Sequence, residues 1–214
     1  DVDPTITVLS SNATVECDGS GNAVDLQAWL DSNGGASATD ACGPLVWSHD
    51  YNDGAMNDPC GATGSVSVTF TVTDGSNNSS TTTSTFTIVD TTAPVLTIPA
   101  DYTAECSDDH PMDAATATDN CDDDVSITVE EETVAGSCAG NYTITRTFTA
   151  TDDCGNATSA TQTITIVDTT APEFTDVPSD YTIECDQELV LDEAVAIDNC
   201  SACNTSLAFE SSED

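Results

Sequence analysis

The octapeptide Thr-Ile-Val-Asp-Thr-Thr-Ala-Pro occurs at residues 87–94 and again, unchanged, at 165–172, 78 residues later. Self-similarity at a fixed offset constrains a fold more than any local propensity, because each copy of a module must bury its own core and stack on its neighbours. The similarity extends around the octapeptide. Tyr102-Thr-Ala-Glu-Cys106 matches Tyr181-Thr-Ile-Glu-Cys185, Asp119-Asn-Cys121 matches Asp198-Asn-Cys200, and Thr147-Phe-Thr-Ala-Thr-Asp152 matches Thr69-Phe-Thr-Val-Thr-Asp74. The 214 residues divide accordingly into modules at 1–89, 90–167 and 168–214.

Each complete module ends in two runs of apolar residues alternating with Thr: Val66–Val72 then Thr85–Val89, and Tyr142–Phe148 then Gln162–Ile166. Period-two alternation marks half-buried strands, and the loops Asp74-Gly-Ser-Asn-Asn78 and Asp153-Cys-Gly-Asn156 carry turn chemistry. Modules of 80–90 residues built from short antiparallel strands predict an all-β chain of tandem immunoglobulin-like sandwiches. A helix is expected only at Ala23–Leu30, stopped by Gly34 and Gly35. The third module holds only its opening half, so it is expected either to be cropped from a longer array or to be completed in trans by strands of a neighbouring chain.

The charge is 1 − 39 = −38, with a single Arg and no Lys. Binding nucleic acid needs cations to neutralise phosphates, so a nucleic-acid partner is excluded, and anionic membrane surfaces repel the chain for the same reason. No apolar run approaches the ~20 residues that span a bilayer, which argues against membrane insertion. Hydrophobic residues make up 38%, too few for one large core and suited to small units closed by cross-links or ions. Ten cysteines without paired zinc spacing point to an oxidising compartment, hence secretion or cell-surface display.

The string Phe148-Thr-Ala-Thr-Asp-Asp-Cys-Gly-Asn156 running on to Thr-Ile-Val-Asp-Thr-Thr-Ala-Pro172, followed by Tyr-Thr-Ile-Glu-Cys185 and Asp-Asn-Cys200, resembles the HYR-like, immunoglobulin-like repeats of Bacteroidota surface adhesins of the gliding-motility type. The resemblance covers the second module fully, the first with one departure and the third in its first half. It implies secretion, a tandem array, and a place in an adhesin stalk or surface filament.

Topology narrows the cysteine pairing. In an up-and-down sandwich Cys106 and Cys138 share one pole and Cys121 and Cys154 the other. The expectation is Cys106–Cys138 and Cys121–Cys154, with Cys17–Cys60 in the first module, where Ser76 stands in the place of Cys154. Cys42, Cys185, Cys200 and Cys203 are left without assigned partners. A metal-thiolate site at Cys200-Ser-Ala-Cys203 lacks two further soft ligands.

Carboxylates recur at fixed places: Glu16 and Glu105 before a cysteine, Asp119 and Asp198 before Asn-Cys, Asp152 and Asp153 in the hairpin loop with Asn156, and Asp90 and Asp168 at the module junctions. Calcium takes six to eight oxygens, so acidic loops meeting at a joint have the chemistry it requires, in an arrangement that resembles cadherin joints. Ca2+ is therefore the expected ion. Asp50-Tyr-Asn52-Asp-Gly54 opens like an EF-hand loop but has Gly61 where the twelfth-position Glu belongs. Asp90-Thr91-Thr and Asp168-Thr169-Thr resemble the Asp-Thr-X acceptor of Bacteroidota O-glycosylation, which would place sugars on Thr91 and Thr169.

Arg146 lies at core parity between Ile144 and Phe148, where a structural ion pair is expected. His49 and His110 read as surface residues, and Trp29 and Trp47 as core. Nucleophile, zincin, P-loop and dinucleotide motifs are absent, so no enzyme is expected. Two functions follow: a structural and adhesive stalk or filament shaft of copies polymerised head to tail or by strand complementation, and, alternatively, a glycan- or protein-binding module using the two Trp of module one.

Overall fold

The computed structural model of the chain describes residues 2–41, 43–52, 60–137, 140–180, 182, 184, 186 and 193–200. In chain order the elements are β1 (Thr5–Val8), β2 (Ala13–Glu16), α1 (Ala23–Asp31), β3 (Ser37–Thr39), β4 (Val46–His49), β5 (Gly64–Thr73), β6 (Ser79–Val89), β7 (Val95–Thr97), β8 (Tyr102–Glu105), β9 (Thr116–Thr118), β10 (Ser126–Ala135), β11 (Tyr142–Thr151), β12 (Ala157–Val167), β13 (Glu173–Asp176) and β14 (Val195–Ile197). The chain is all-β, as the alternation requires, with α1 its α-helix among the described residues.

Two four-stranded sheets have the same plan. Their orders are β2-β6-β5-β4 and β10-β11-β12-β8, and three two-stranded sheets, β1-β3, β7-β9 and β13-β14, accompany them. In each large sheet the long hairpin supplies the centre, and the short strand that ends in Glu-Cys lies parallel to the last strand, Val15 opposite Ile88 and Ala104 opposite Ile166. This repeated layering is that of tandem immunoglobulin-like sandwich modules. The parallel pairing has a direct consequence: Glu16 and Glu105 emerge beside the residues that lead out of β6 and β12, at the junction itself.

Contacts gather the chain into two compact units. The first comprises Asp1–Thr97, Thr116–Thr128 and Thr149–Ser159; the second comprises Ile98–Ala115, Val129–Phe148 and Ala160–Asp214. In the first unit the inward residues of β5 and β6, Val66, Val68, Phe70, Phe86 and Ile88, meet Leu26, Trp29 and Leu30 of α1. These three stand at i, i+3 and i+4, one stripe of a helix. Trp29 packs edge-on against Phe70 at 5.2 Å and donates its ring N–H to the Ser11 carbonyl at 3.1 Å. It is 8% exposed, so it belongs to the core and offers no surface for a ligand. Trp47 is half-buried against the same cluster.

The second unit is held by Ile144, Ile164 and Ile166 with Tyr102, Ala104 and Tyr142 packed on them. Arg146 is 4% exposed within it. Its Nε donates to Glu131 Oε2 at 2.8 Å, Nη1 to the Pro111 carbonyl at 2.9 Å and Nη2 to the His110 carbonyl at 3.1 Å. The expected ion pair is present, and the two carbonyls make it a fastener for the loop after β8. His110 is half-buried rather than on the surface, since its carbonyl is drawn in by Arg146.

Candidate functional site

The cysteines pair differently from the expectation. The bridges are Cys17–Cys121, Cys60–Cys154 and Cys106–Cys200, with Cα separations of 5.9, 5.1 and 6.0 Å. Cys106 therefore does not pair with Cys138, nor Cys121 with Cys154, nor Cys17 with Cys60. The expectation paired cysteines that share a pole of one module, whereas each bridge joins a cysteine of one repeat to a cysteine of the next. Cys42, Cys138, Cys185 and Cys203 lie outside the described residues, as do Asp53 and Gly54 of the EF-hand-like string.

The bridged segments of the first unit come together without intervening side chains. Gly19 has φ +74°, and an added Cβ there would overlap the Asn120 carbonyl; a Cβ on Gly61, φ +54°, would stand 2.6 Å from the Cys121 carbonyl oxygen. Asn120 seals the contact by donating from Nδ2 to the Cys17 carbonyl at 2.8 Å.

Several carboxylates converge here. Asp119 Oδ1 accepts from the backbone N–H of Cys121 at 2.8 Å and of Asp122 at 3.3 Å, and Asp90 Oδ1 from that of Thr92 at 3.1 Å. The other oxygen of each, Asp90 Oδ2 and Asp119 Oδ2, is buried and has no hydrogen-bond partner. Ligand atoms of Asp90, Asp119 and Cys121 all lie within 4.8 Å of one another, but the Cys121 sulfur is committed to its disulfide. The Asp90 carboxyl is pushed above the usual carboxylate range by desolvation, and the charges of Asp119, Asp152 and Glu16 push in the same direction.

Asp152 and Glu16 have other duties as well. Asp152 is 5% exposed and closes its hairpin, Oδ1 accepting from Asn156 N–H at 2.8 Å and Oδ2 from Asn156 Nδ2 at 2.9 Å. Asp74 and Asn78 make the same clamp in the first hairpin, a signal written in the shared Asp-x-x-x-Asn spacing. Asn156 Nδ2 also reaches the Asp90 carbonyl at 3.2 Å. Glu16 grips the linker: Oε1 accepts from Thr91 N–H at 2.7 Å and from the Thr92 hydroxyl at 2.9 Å, and Oε2 from the Thr91 hydroxyl at 3.0 Å. Asp153 is exposed and stands outside the cluster; its backbone N–H donates to Asp122 Oδ2 at 2.8 Å. Asp122, 8% exposed, is the buried carboxylate that the sequence reading missed among the run Asp122-Asp-Asp124.

The second unit repeats the pattern. Glu105, Cys106, Asp168 and Cys200 bring ligand atoms within 4.8 Å, both sulfurs again in a disulfide. Asp168 Oδ1 is buried without a partner. Glu105 accepts from the Thr169 hydroxyl and, at 3.1 Å, from its N–H. Asp198 Oδ1 caps the Cys200 N–H at 2.9 Å, as Asp119 does for Cys121. The hydroxyls of Thr91 and Thr169, the two acceptors expected for glycans, are thus donors to Glu16 and Glu105.

Because the hydrogen bonds from Thr91 hold the Glu16 carboxyl below its ordinary value of 4.5, the ionised clamp stabilises the fold above that pH and the stabilisation is lost as pH falls through the lowered value. A Glu16→Gln variant is expected to melt below the parent at pH 7 and to converge with it in acid, once the pH has fallen through the lowered value. A gap that persists unchanged in acid would mean that the Glu16 charge plays no part.

Residues 94–166 match the HYR-like domain with 4 cysteines. The chain is 35% identical over 173 residues to the serine-rich adhesin for platelets of Staphylococcus aureus (strain MSSA476), covering 74% of this chain and 7% of that protein. For strain MRSA252 the identity is 34%, over 12% of the adhesin. The chain therefore spans a small fraction of the relatives it matches. Among solved structures, Drosophila N-cadherin EC1-4 aligns with 94% of this chain and 61% of its own at 14% identity and a TM-score of 0.33. The protocadherin GammaB4 extracellular domain aligns with 93% and 38% at 12% identity and a TM-score of 0.34. The matched segment contains Cys106, Cys121, Cys138 and Cys154, so this stretch of the chain is similar to an HYR-like domain, and the chain is similar to a short part of the adhesins.

Proposed function

We propose that this chain is a stretch of a secreted, surface-displayed array, with modules at 1–89, 90–167 and 168–214, that forms the stalk or filament shaft of an adhesin of the Bacteroidota type its repeats resemble, and that Ca2+ occupies the junctions. The observation that carries the calcium reading is the pair of buried, unpartnered oxygens Asp90 Oδ2 and Asp119 Oδ2 in one cluster. A buried carboxylate oxygen without a donor is costly, and two of them together repel, so the arrangement is relieved by a cation rather than by any side chain nearby. With the sulfurs oxidised, the available ligands are hard oxygens, which favours calcium over zinc.

Asp90 and Asp119 would hold the ion in the first unit, with remaining lone pairs of Asp152 and Glu16 in reach of the same charge cluster; Asp168 and Glu105 would do so in the second. Bound there, the ion supplies charge neutralisation that stiffens the linker. Partners are copies of the same chain along the shaft, and surface glycans or proteins at its tip. Sugars on Thr91 or Thr169 would remove a hydroxyl donor from the Glu clamp, and intact mass decides whether they are present.

Thermal melts test the calcium reading. Calcium at about 100 times its Kd is expected to stabilise by about 2.7 kcal/mol over chelator. Asp119→Asn should raise the melting temperature in chelator, by removing the charge that repels Asp90, and should abolish the calcium increment. Identical melts with calcium and with chelator would overturn the assignment.

A further inference from the structure

The three disulfides overlap along the chain. Cys17–Cys121 closes one ring and Cys106–Cys200 the next, and the second ring begins 15 residues before the first one ends. Tension applied to the two ends follows the shortest covalent route, because that route is the first to become taut. From Cys17 it crosses to Cys121, returns through the 15 residues to Cys106 and crosses to Cys200. Residues 18–105 and 122–199 then hang beside the route as closed loops.

We infer that this pattern makes the chain a covalent, nearly inextensible tension-bearing cable, a mechanical function that rests on the stalk reading above and adds to it. Fully extended at ~3.3–3.6 Å per residue, the 15-residue route is about 5 nm long, against about 63 nm for the 183 residues of backbone from Cys17 to Cys200. The two bridges add Cα spans of 5.9 and 6.0 Å. Repeat unfolding under load therefore releases little length while the bridges hold.

Cys60–Cys154 lies off this route. If Cys17–Cys121 is absent, the route lengthens to 89 residues, running from Cys17 to Cys106 and across to Cys200, and the path through Cys60–Cys154 is equally long. The route has its own fastener. Arg146 holds the His110 and Pro111 carbonyls, both within the 15-residue segment, so the chain's one Arg grips the slack that tension would first draw out.

The test is force spectroscopy on the 214-residue chain held by tags at its ends, with Cys42, Cys138, Cys185 and Cys203 replaced by serine so that three bridges remain. The oxidised chain is expected to stop about 57 nm short of its length in a phosphine reductant. Cys17→Ala/Cys121→Ala should lengthen the oxidised limit by about 26 nm, and Cys60→Ala/Cys154→Ala should leave it unchanged. These limits report contour length, so they hold even for a variant that folds poorly. An oxidised chain that reaches its reduced length, or a Cys60/Cys154 variant that lengthens as much as the Cys17/Cys121 variant, overturns the inference. The pulls are repeated in chelator: unchanged limits there uphold the cable whatever the fate of the calcium assignment, and a limit that moves with chelator overturns it.

Discussion

Replacing Cys17 and Cys121 together by alanine is expected to lower the stability of the first unit by about 4 kcal/mol. The magnitude follows from ring size. With Cys60–Cys154 intact, the remaining bridge closes a ring of the 43 residues from Cys17 to Cys60 and the 33 from Cys121 to Cys154. That ring is nearly as large as an independent one, and loop entropy depends only logarithmically on size, so the second bridge is not redundant with the first. Burial adds to the effect, since Cys17 and Cys121 are 4% and 8% exposed and belong to the cluster with Leu26 and Phe86. Alanine avoids burying a hydroxyl, so the measured loss reports the cross-link and its sulfurs. For a unit of this size the melting temperature should drop by about 15 °C, read by calorimetry under oxidising conditions. A drop under about 3 °C would mean that the two segments are held mainly by the contacts around Gly19, Gly61 and Asn120.

Arg146→Met is expected to destabilise the second unit by about 2–4 kcal/mol. Glu131 is 41% exposed, so its carboxylate returns to water at small cost once the guanidinium is gone, and the ion pair itself contributes little. The larger loss comes from the His110 and Pro111 carbonyls, which forfeit their donors. Methionine fills most of the vacated volume beside Ile144 and Phe148, which keeps a cavity from confusing the measurement. Arg146→Lys retains the charge but places one ammonium where a planar fork served three acceptors, so it should recover only part of the loss. Denaturant titrations of the three proteins decide the matter, and a Met variant as stable as the parent would show that the loop after β8 stays in place without its fastener. The equivalent position in the first module is Val68, fully buried, so an apolar residue is compatible with the strand itself.

Much of the fold was legible because its signals are local. The Thr-alternating runs gave β5, β6, β11 and β12, since alternation reports the burial of one face of a strand, and α1 lies where the stretch before Gly34 and Gly35 was expected to be helical. β10 was hidden: Glu130-Glu131-Glu132 interrupts any alternation, and the strand is exposed almost throughout, so its pairing with β11 rather than its composition makes it a strand. The junction acids Asp90, Asp119 and Asp168 stood out by recurrence at the same place in successive repeats. Glu16 and Glu105 did too, but their donors Thr91 and Thr169 read as glycan acceptors, because only the parallel pairing of β2 with β6 and of β8 with β12 sets each Glu beside the linker.

The cysteines divide along the same line. Their repeat spacing follows from the sequence. Which sulfur meets which does not, since pairs within one repeat and pairs between successive repeats satisfy the same spacing. In the first unit the bridged segments meet through glycine-lined backbone contact, Gly19 with Asn120 and Gly61 with Cys121, 101 and 60 residues apart, which no local pattern encodes.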